Sequence, residues 1–447
     1  MLSQEANERL TRVGPGTPCG ELMRRYWAPI SPLAQLLEEP VRRVRLLGED
    51  LTLFRTRSGK LGLIGERCLH RGFDLRWGIP DEDGLRCPYH GWLYGPNGEC
   101  LDTPLEAADS TFKHRLCIKS YPVEELGGLV FAYMGPPPAP LLPRWDLFVW
   151  PNAIRQIAVT TLNCNWLQCQ ENTGDPTHSV WLHGHWFKYI LERAGKLQER
   201  ASDREAHTVY QHMKTGIGIQ ELYVNATAYG MEKGIVYSKA LGADADRVTR
   251  HSTVIFPFFT EVGDPGSPRA EFQIRVPMDD THTSHLCYQV YAAPPGVEAP
   301  KQETVPYYEV PMFTPDGKPI LDYVLAQDMI GWWAQGETVD RTQEHLGRTD
   351  IPIVFLRRQI EEQIRIVEQG GEPMNVFRDR AAMGDMLHGG GATPAGQEGR
   401  LGSTFRSQYH KGFIMDDVDR YGPAAPLIQQ LHRGVEEAAQ AAAHVAG

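Results

Sequence analysis

A chain of 447 residues is long enough for two or three domains and a large core. Its 41% hydrophobic and 23% charged residues are those of an ordinary soluble globular protein. A net charge of −11 with no basic run argues against nucleic acid or an anionic membrane as partner. In chain order, residues 1–30 read as a polar helical segment running into the turn Gly14-Pro15-Gly16-Thr17-Pro18. The opening MLSQEANERLTRV offers no apolar run for a signal peptide. No stretch approaches the roughly 18 apolar residues of a membrane span.

From Val41 the pattern is short strands, Val44–Leu47, Leu51–Arg55 and Leu61–Ile64, broken by turns at Gly48-Glu49-Asp50 and Arg57–Lys60. Residues 31–145 are therefore expected to form a small antiparallel β domain, ending in the Pro-rich linker Pro136–Pro143. Residues 146–447 form the second domain. There, Thr161–Thr173 leads into a helical stretch, and strands are expected at Gly218–Ala228, Thr249–Thr260, Phe272–Pro277 and His285–Ala292. A helical region covers Asp322–Gln335, and Ile360, Ile364 and Val367 repeat at helix spacing before Gly370-Gly371. His388–Ser403 is a Gly-rich loop and Ala425–Ala446 an Ala-rich helix. Strands flanked by long helices make the class α+β.

Two cysteine–histidine pairs sit in the first domain, Cys68-Leu69-His70 and Cys87-Pro88-Tyr89-His90. A Rieske [2Fe–2S] cluster requires this mixed set, two thiolates on one iron and two imidazoles on the other. Cys2His2 also suits a structural zinc ion, but zinc knuckles usually pair Cys with Cys and His with His. Here each loop carries one of each. The other six cysteines, Cys19, Cys100, Cys117, Cys164, Cys169 and Cys287, read as buried free thiols and not as a disulfide framework. A cytoplasmic enzyme is expected.

A second metal motif spans Asp175 to His183. Non-haem Fe(II) oxygenases use two histidines and one carboxylate on one face of the metal. His178 and His183 are five apart, about 140° around an ideal helix, so both reach one ion only if a π-bulge widens the helix. On its own this spacing favours ordinary core or surface histidines. His185 could mimic a three-histidine zinc set, and Asp175 could be an N-cap before Pro176. Spacing leaves Asp322, Asp328, Glu337 and Asp340 open as the third ligand. Glu171 and Asn172 could support the site or act as caps.

The stretches CLHRG…CPYHGWLYGPNG, RVGPGTPCGELMRRYW, NWLQCQENTGDPTHSVWLHG and QGETVDRTQEHLGRTD resemble the oxygenase (α) subunits of Rieske aromatic-ring-hydroxylating oxygenases. The similarity is to the phthalate dioxygenase-like group, which includes O-demethylases of lignin-derived aromatic acids, and runs from about residue 8 to residue 380. It implies a helix-grip (START-like) catalytic domain. Cys68, His70, Cys87 and His90 match the cluster ligands. His178, His183 and Asp328 match the ligands of a mononuclear Fe(II). Asp175 matches a carboxylate that links a cluster histidine of one subunit to an iron-ligand histidine of its neighbour, which implies a homotrimer or hexamer.

No Gly-rich dinucleotide motif follows a strand, so a separate NAD(P)H-dependent reductase of the flavin and ferredoxin type must supply electrons. The reading is an oxygenase acting with O2 on an aromatic acid, leaning to O-demethylation, with cis-dihydroxylation of a phthalate-like acid as the alternative. A Rieske electron carrier would need only the first third of the chain. Arg204, Arg247 and Arg250 are candidates for a substrate carboxylate, and Arg250, leading into Val254–Phe259, is preferred.

Overall fold

The computed structural model describes residues 1–107, 109–197, 219–237, 249–262, 269–293, 297–384, 387, 421–431, 433, 434 and 437. The polar start forms the helix Gln4–Thr11, whose Ala6 amide donates to the Ser3 hydroxyl as an N-cap. After the Gly/Pro turn, Pro18–Met23 forms a second helix with Thr17 as N-cap and Pro18 in its first turn. The helical segment ends earlier than expected, because Trp27–Pro32 is already a strand. Arg9 bonds Glu361 and Glu368 of the long helix Ile351–Glu368 at 2.9 and 2.6 Å. These first helices thus pack on the far end of the chain.

Three small antiparallel sheets follow. Val41–Leu46, Glu49–Arg55 and Leu61–Gly65 pair in succession, with Ser120–Tyr121 on the outer edge. A second sheet joins Ile79–Pro80, Leu85–Arg86, Leu93–Tyr94 and Cys100–Asp102. The third sets Leu129–Tyr133 between Trp27–Pro32 and Val123–Leu126. Of the six other cysteines only Cys117 is exposed, a correction to the expected burial. It lies in an isolated bridge with Glu99, outside the named strands.

The rest of the chain is built on an eight-stranded sheet. All its pairings are antiparallel except that of Ala153–Leu162 with Tyr307–Glu309. The expected strand over residues 249–260 is in fact two, Thr249–Ile255 and Phe259–Val262, turning at Phe256-Pro257-Phe258. Pro257 has no N–H to give the ladder, so the strand cannot run through it. Ile351–Glu368 packs against this sheet, the helix-grip arrangement. It buries Ile360, Ile364 and Val367, each contributing about 1.5–3 kcal/mol. The Gly-rich segment 388–403 lies outside the described residues, and residues 425–431 are helical as expected. Among the described residues no helix is long and apolar enough to cross a membrane.

The two halves are joined by specific polar contacts. Leu47 and Gly48 amides donate to the carbonyls of Pro277 and Met278 at 3.2 and 2.8 Å. Beside them Arg45 bonds Asp279 at 2.5 Å. Burial opposes the charge of Asp279, but the Thr281 amide, Arg45 and His282 outweigh it and hold its carboxyl at about 2. A carboxyl depressed on folding stabilises above its unfolded pKa, and loses that contribution as pH falls through the folded value. Asp279→Asn should therefore cost about 1 kcal/mol after solvent screening. In urea unfolding the deficit should stay constant from about pH 8 to pH 5 and shrink only below about pH 4.

Candidate metal centres

The two Cys–His loops are built to one plan. In the first, the Cys68 carbonyl accepts from the Gly72 amide at 2.8 Å, and the Cys68 amide donates to Phe73 at 2.9 Å. In the second, the Cys87 carbonyl accepts from Gly91 at 2.9 Å, and the Cys87 amide donates to Trp92 at 2.8 Å. Both turns close on a glycine with positive φ, 69° at Gly72 and 78° at Gly91, where a Cβ would be strained. A Cβ on Gly91 would also meet Pro104 Cγ at 2.7 Å.

This plan points both cysteines inward and both histidines outward. Cys68 and Cys87 are 3% and 1% exposed, whereas His70 is exposed and His90 half-buried. The imidazoles lie 4.4 Å apart between ring centroids, and His70 stacks on Trp92 at 4.7 Å. Tyr94 Oη lies 3.2 Å from Cys68 Sγ and accepts from the Leu69 amide at 3.1 Å. Its partner loop is some 25 residues away, so the sequence motif alone did not single it out. Ligand atoms around one zinc ion would lie within a few ångströms of each other. Among the described residues, only His178, His183 and Asp328 bring three ligand atoms within 4.8 Å. The Cys–His set is more spread, with sulfurs inside and nitrogens outside, which fits a two-iron cluster.

The second centre grows from the helix Trp166–Gly174, whose end is fixed by a buried ion network. Glu171 accepts from Arg341 at 2.9 and 2.7 Å and from Arg357 at 2.6 Å, and Arg357 in turn grips Glu344. The Glu171 side chain is thus a clamp and not a cap, and with Asn172 it lines the same cleft as His178. Asp175 follows as the C-cap. Its Oδ1 accepts from the Thr177 hydroxyl and amide at 2.6 and 2.7 Å, so it also caps the next turn. That next helix widens into a π-helix over Trp181–Trp186, the widening that the five-residue spacing demanded.

The widened turn brings the rings of His178 and His183 to 5.2 Å between centroids. Asp328, on Val324–Trp333, faces both: its Oδ1 is 3.1 Å from His183 Nε2 and 3.5 Å from His178 Nε2. The opposite ring nitrogens are tied back. His178 Nδ1 donates to the Asp175 carbonyl at 2.6 Å, and His183 Nδ1 to Gln327 Oε1 at 2.9 Å. The Gln327 amide can only present its oxygen there, because its nitrogen donates to the Leu321 carbonyl at 2.9 Å. Both protons are thereby held at Nδ1, leaving the Nε2 lone pairs aimed at Asp328. Burial, more than the pull of Asp328, lowers the His178 imidazole from its usual range. Burial alone would raise the Asp328 carboxyl, but His183, His178 and Arg275 hold it at about 2. Two imidazoles and a carboxylate converging from one side fit an Fe(II) ion with open positions.

The other candidates lie elsewhere. Asp322 is 3.4 Å from Lys196, and Asp340 bonds Thr342. Glu337 accepts from Asn165 through its backbone. His185 is exposed and stacked on Trp181 at 4.3 Å. Arg250 lies in Thr249–Ile255 opposite Ile235, with its side chain outside the described residues, as are Arg204 and Arg247. The strand Gly230–Tyr237 and its Lys233 were missed, although Met231, Lys233 and Ile235 alternate as a buried face does.

Residues 26–122 match the Rieske [2Fe-2S] domain family. Over 388 residues the chain is 37% identical to the 5,5'-dehydrodivanillate O-demethylase oxygenase subunit of Sphingobium sp. (strain NBRC 103272 / SYK-6), covering 85% of each chain. It is 32% identical to the phenoxybenzoate dioxygenase subunit alpha of Ectopseudomonas oleovorans, covering 83% of this chain and 88% of that one. In structure it is similar to the terminal oxygenase of carbazole 1,9a-dioxygenase from Nocardioides aromaticivorans IC177. The TM-score is 0.56 at 18% identity, over 80% of this chain and 99% of that one.

Proposed function

The chain belongs to the Rieske non-haem iron oxygenases, and from that membership we propose that it O-demethylates a methoxylated, lignin-derived aromatic acid. It is the oxygenase component of a multicomponent system. The observation that carries the reading is the convergence of His178, His183 and Asp328 in a chain so similar to an O-demethylase subunit. Cys68 and Cys87 would hold one iron of the cluster, His70 and His90 the other, and the His178 triad the mononuclear Fe(II). When bound, these groups supply one-electron transfer and O2 activation.

The protein's own part is orientation. The Asp175 carbonyl and Gln327 keep the iron-facing nitrogens free of protons, and the Glu171 clamp fixes the helix end that carries Asp175. We place the Rieske domain at 31–145 and the catalytic domain at 146–447, a division supported by the sheet that starts at Ala153. The Asp175 side chain lines an open cleft with His178 and Trp181, which is 69% exposed. Such a face supports docking by a neighbouring subunit's cluster loops in a homotrimer or hexamer. A separate cytoplasmic NAD(P)H-dependent reductase would feed the cluster.

The test is product analysis with a surrogate reductase. Formaldehyde should appear in step with NADH consumption on a methoxylated aromatic acid. A cis-diol from phthalate, with no formaldehyde from any methoxy acid, would favour the dioxygenase reading that the phenoxybenzoate relative suggests.

A further inference from the structure

We propose that Lys233 is the cation that receives the carboxylate of the aromatic substrate, on the sheet side of the His178–His183–Asp328 centre. The inference deepens the reading above and rests on its assignment of an aromatic acid as substrate. Lys233 stands in Gly230–Tyr237, opposite Val224 on one neighbouring strand and Ser252 on the other. It shares its face with Met231 and Ile235, which are 0% and 2% exposed, and is itself 7% exposed. A lysine is almost never buried so far without a partner. Yet among the described residues its ammonium has neither an ion pair nor a hydrogen bond.

The charges within its reach identify where it points. Asp175 and Asp328 both act on Lys233, and Lys233 acts on His178. The strand register agrees: Met231, Val254, Thr260 and Gln273 lie opposite one another in turn, so Lys233 shares its face of the sheet with Thr260 and Arg275, which bond Thr173 of the helix leading to Asp175. Neither acid forms a direct ion pair with it. Asp328 is turned to the two histidines, and Asp175 Oδ1 is filled by Thr177 and the His178 amide. The other buried cation there, Arg275, is held by Thr173, Thr260, Gln273 and the face of Trp332, with only its Nε unmatched. Burial pushes the Lys233 ammonium down to about 8, so it still carries its charge near neutral pH. Once a divalent ion neutralises Asp328, Lys233 has lost one of the two anions that act on it. A carboxylate arriving on the substrate would complete the pair, and would hold the ring at a fixed distance from the iron position.

The alternative is that Lys233 is a structural counter-ion to Asp175 and Asp328. Equilibrium binding to the iron-loaded enzyme separates the two, with 3,4-dimethoxybenzoate, its methyl ester and 4-hydroxy-3-methoxybenzoate as probes. Lys233→Met preserves length and apolar volume, and should weaken binding of both acids about 30-fold while leaving the ester within about twofold. Lys233→Arg should recover most of the affinity. Iron content and the Rieske electron paramagnetic resonance signal should be unchanged in both variants. Equal weakening of acid and ester, iron loss in Lys233→Met, or a loss confined to the 4-hydroxy acid would overturn the assignment. Unchanged acid binding in both variants would overturn it alone. A wild-type enzyme that binds none of the acids would overturn the substrate reading with it.

Discussion

Replacing His178, His183 or Asp328 by alanine will lower the iron content from about three to about two per chain and abolish oxygenation, while the brown Rieske chromophore persists. Each side chain supplies one of three atoms that lie within 4.8 Å of one another, and two remaining ligands are too few to hold Fe(II) against water. The Cys68 and Cys87 loops leave two small sheets separate from the eight-stranded one and are closed by their own glycine turns, so they should not sense the loss. Gln327→Ala makes a graded control. It frees His183 Nδ1 without removing a ligand, and supporting partners of this kind typically affect metal affinity or activity by about 10–100-fold. Iron analysis beside the visible spectrum reads both effects. Retained iron and activity in Asp328→Ala would transfer the third-ligand role to Asp322 or Glu337.

The parts of this site that were legible in the sequence are those set by local geometry. Two histidines five apart cannot share a metal on a regular helix, so the spacing itself required the π-helix now seen over Trp181–Trp186. The Cys–His loops were legible because thiolate and imidazole types determine which cluster they suit. What was not legible depends on distant pairing. Ala153–Leu162 lies between Thr283–Ala292 and Tyr307–Glu309, with Ile157 and Ala158 buried in succession, so no clean alternation marks it. Glu171 finds Arg341 and Arg357 across some 170 to 186 positions, and no spacing rule foretells such a clamp. Asp328 was singled out by resemblance and not by pattern. Four nearby acids were equivalent until the helix Val324–Trp333 was docked against the π-helix.

Asp175→Asn should keep all three irons and the normal Rieske signal, yet slow turnover about 100-fold. The geometry explains why fold and wiring separate at this residue. Oδ1 does the structural work, capping the turn through the Thr177 hydroxyl and amide, and an asparagine carbonyl oxygen can accept the same bonds. His178 is tied by the Asp175 backbone carbonyl, which the substitution leaves in place. Only Oδ2 changes; it lies 3.8 Å from His178 Nδ1, on a side chain that lines the open cleft. An amide NH2 there could no longer accept an N–H from an imidazole of the proposed neighbouring subunit, and would carry no charge to orient that ring. The defect should therefore appear between the two centres. In a single-turnover experiment with chemically reduced enzyme, substrate and O2, reoxidation of the Rieske chromophore should slow by the same factor as product formation. Normal reoxidation with slow product would place the fault at the mononuclear site, and near-normal rates of both would show that electrons bypass Asp175.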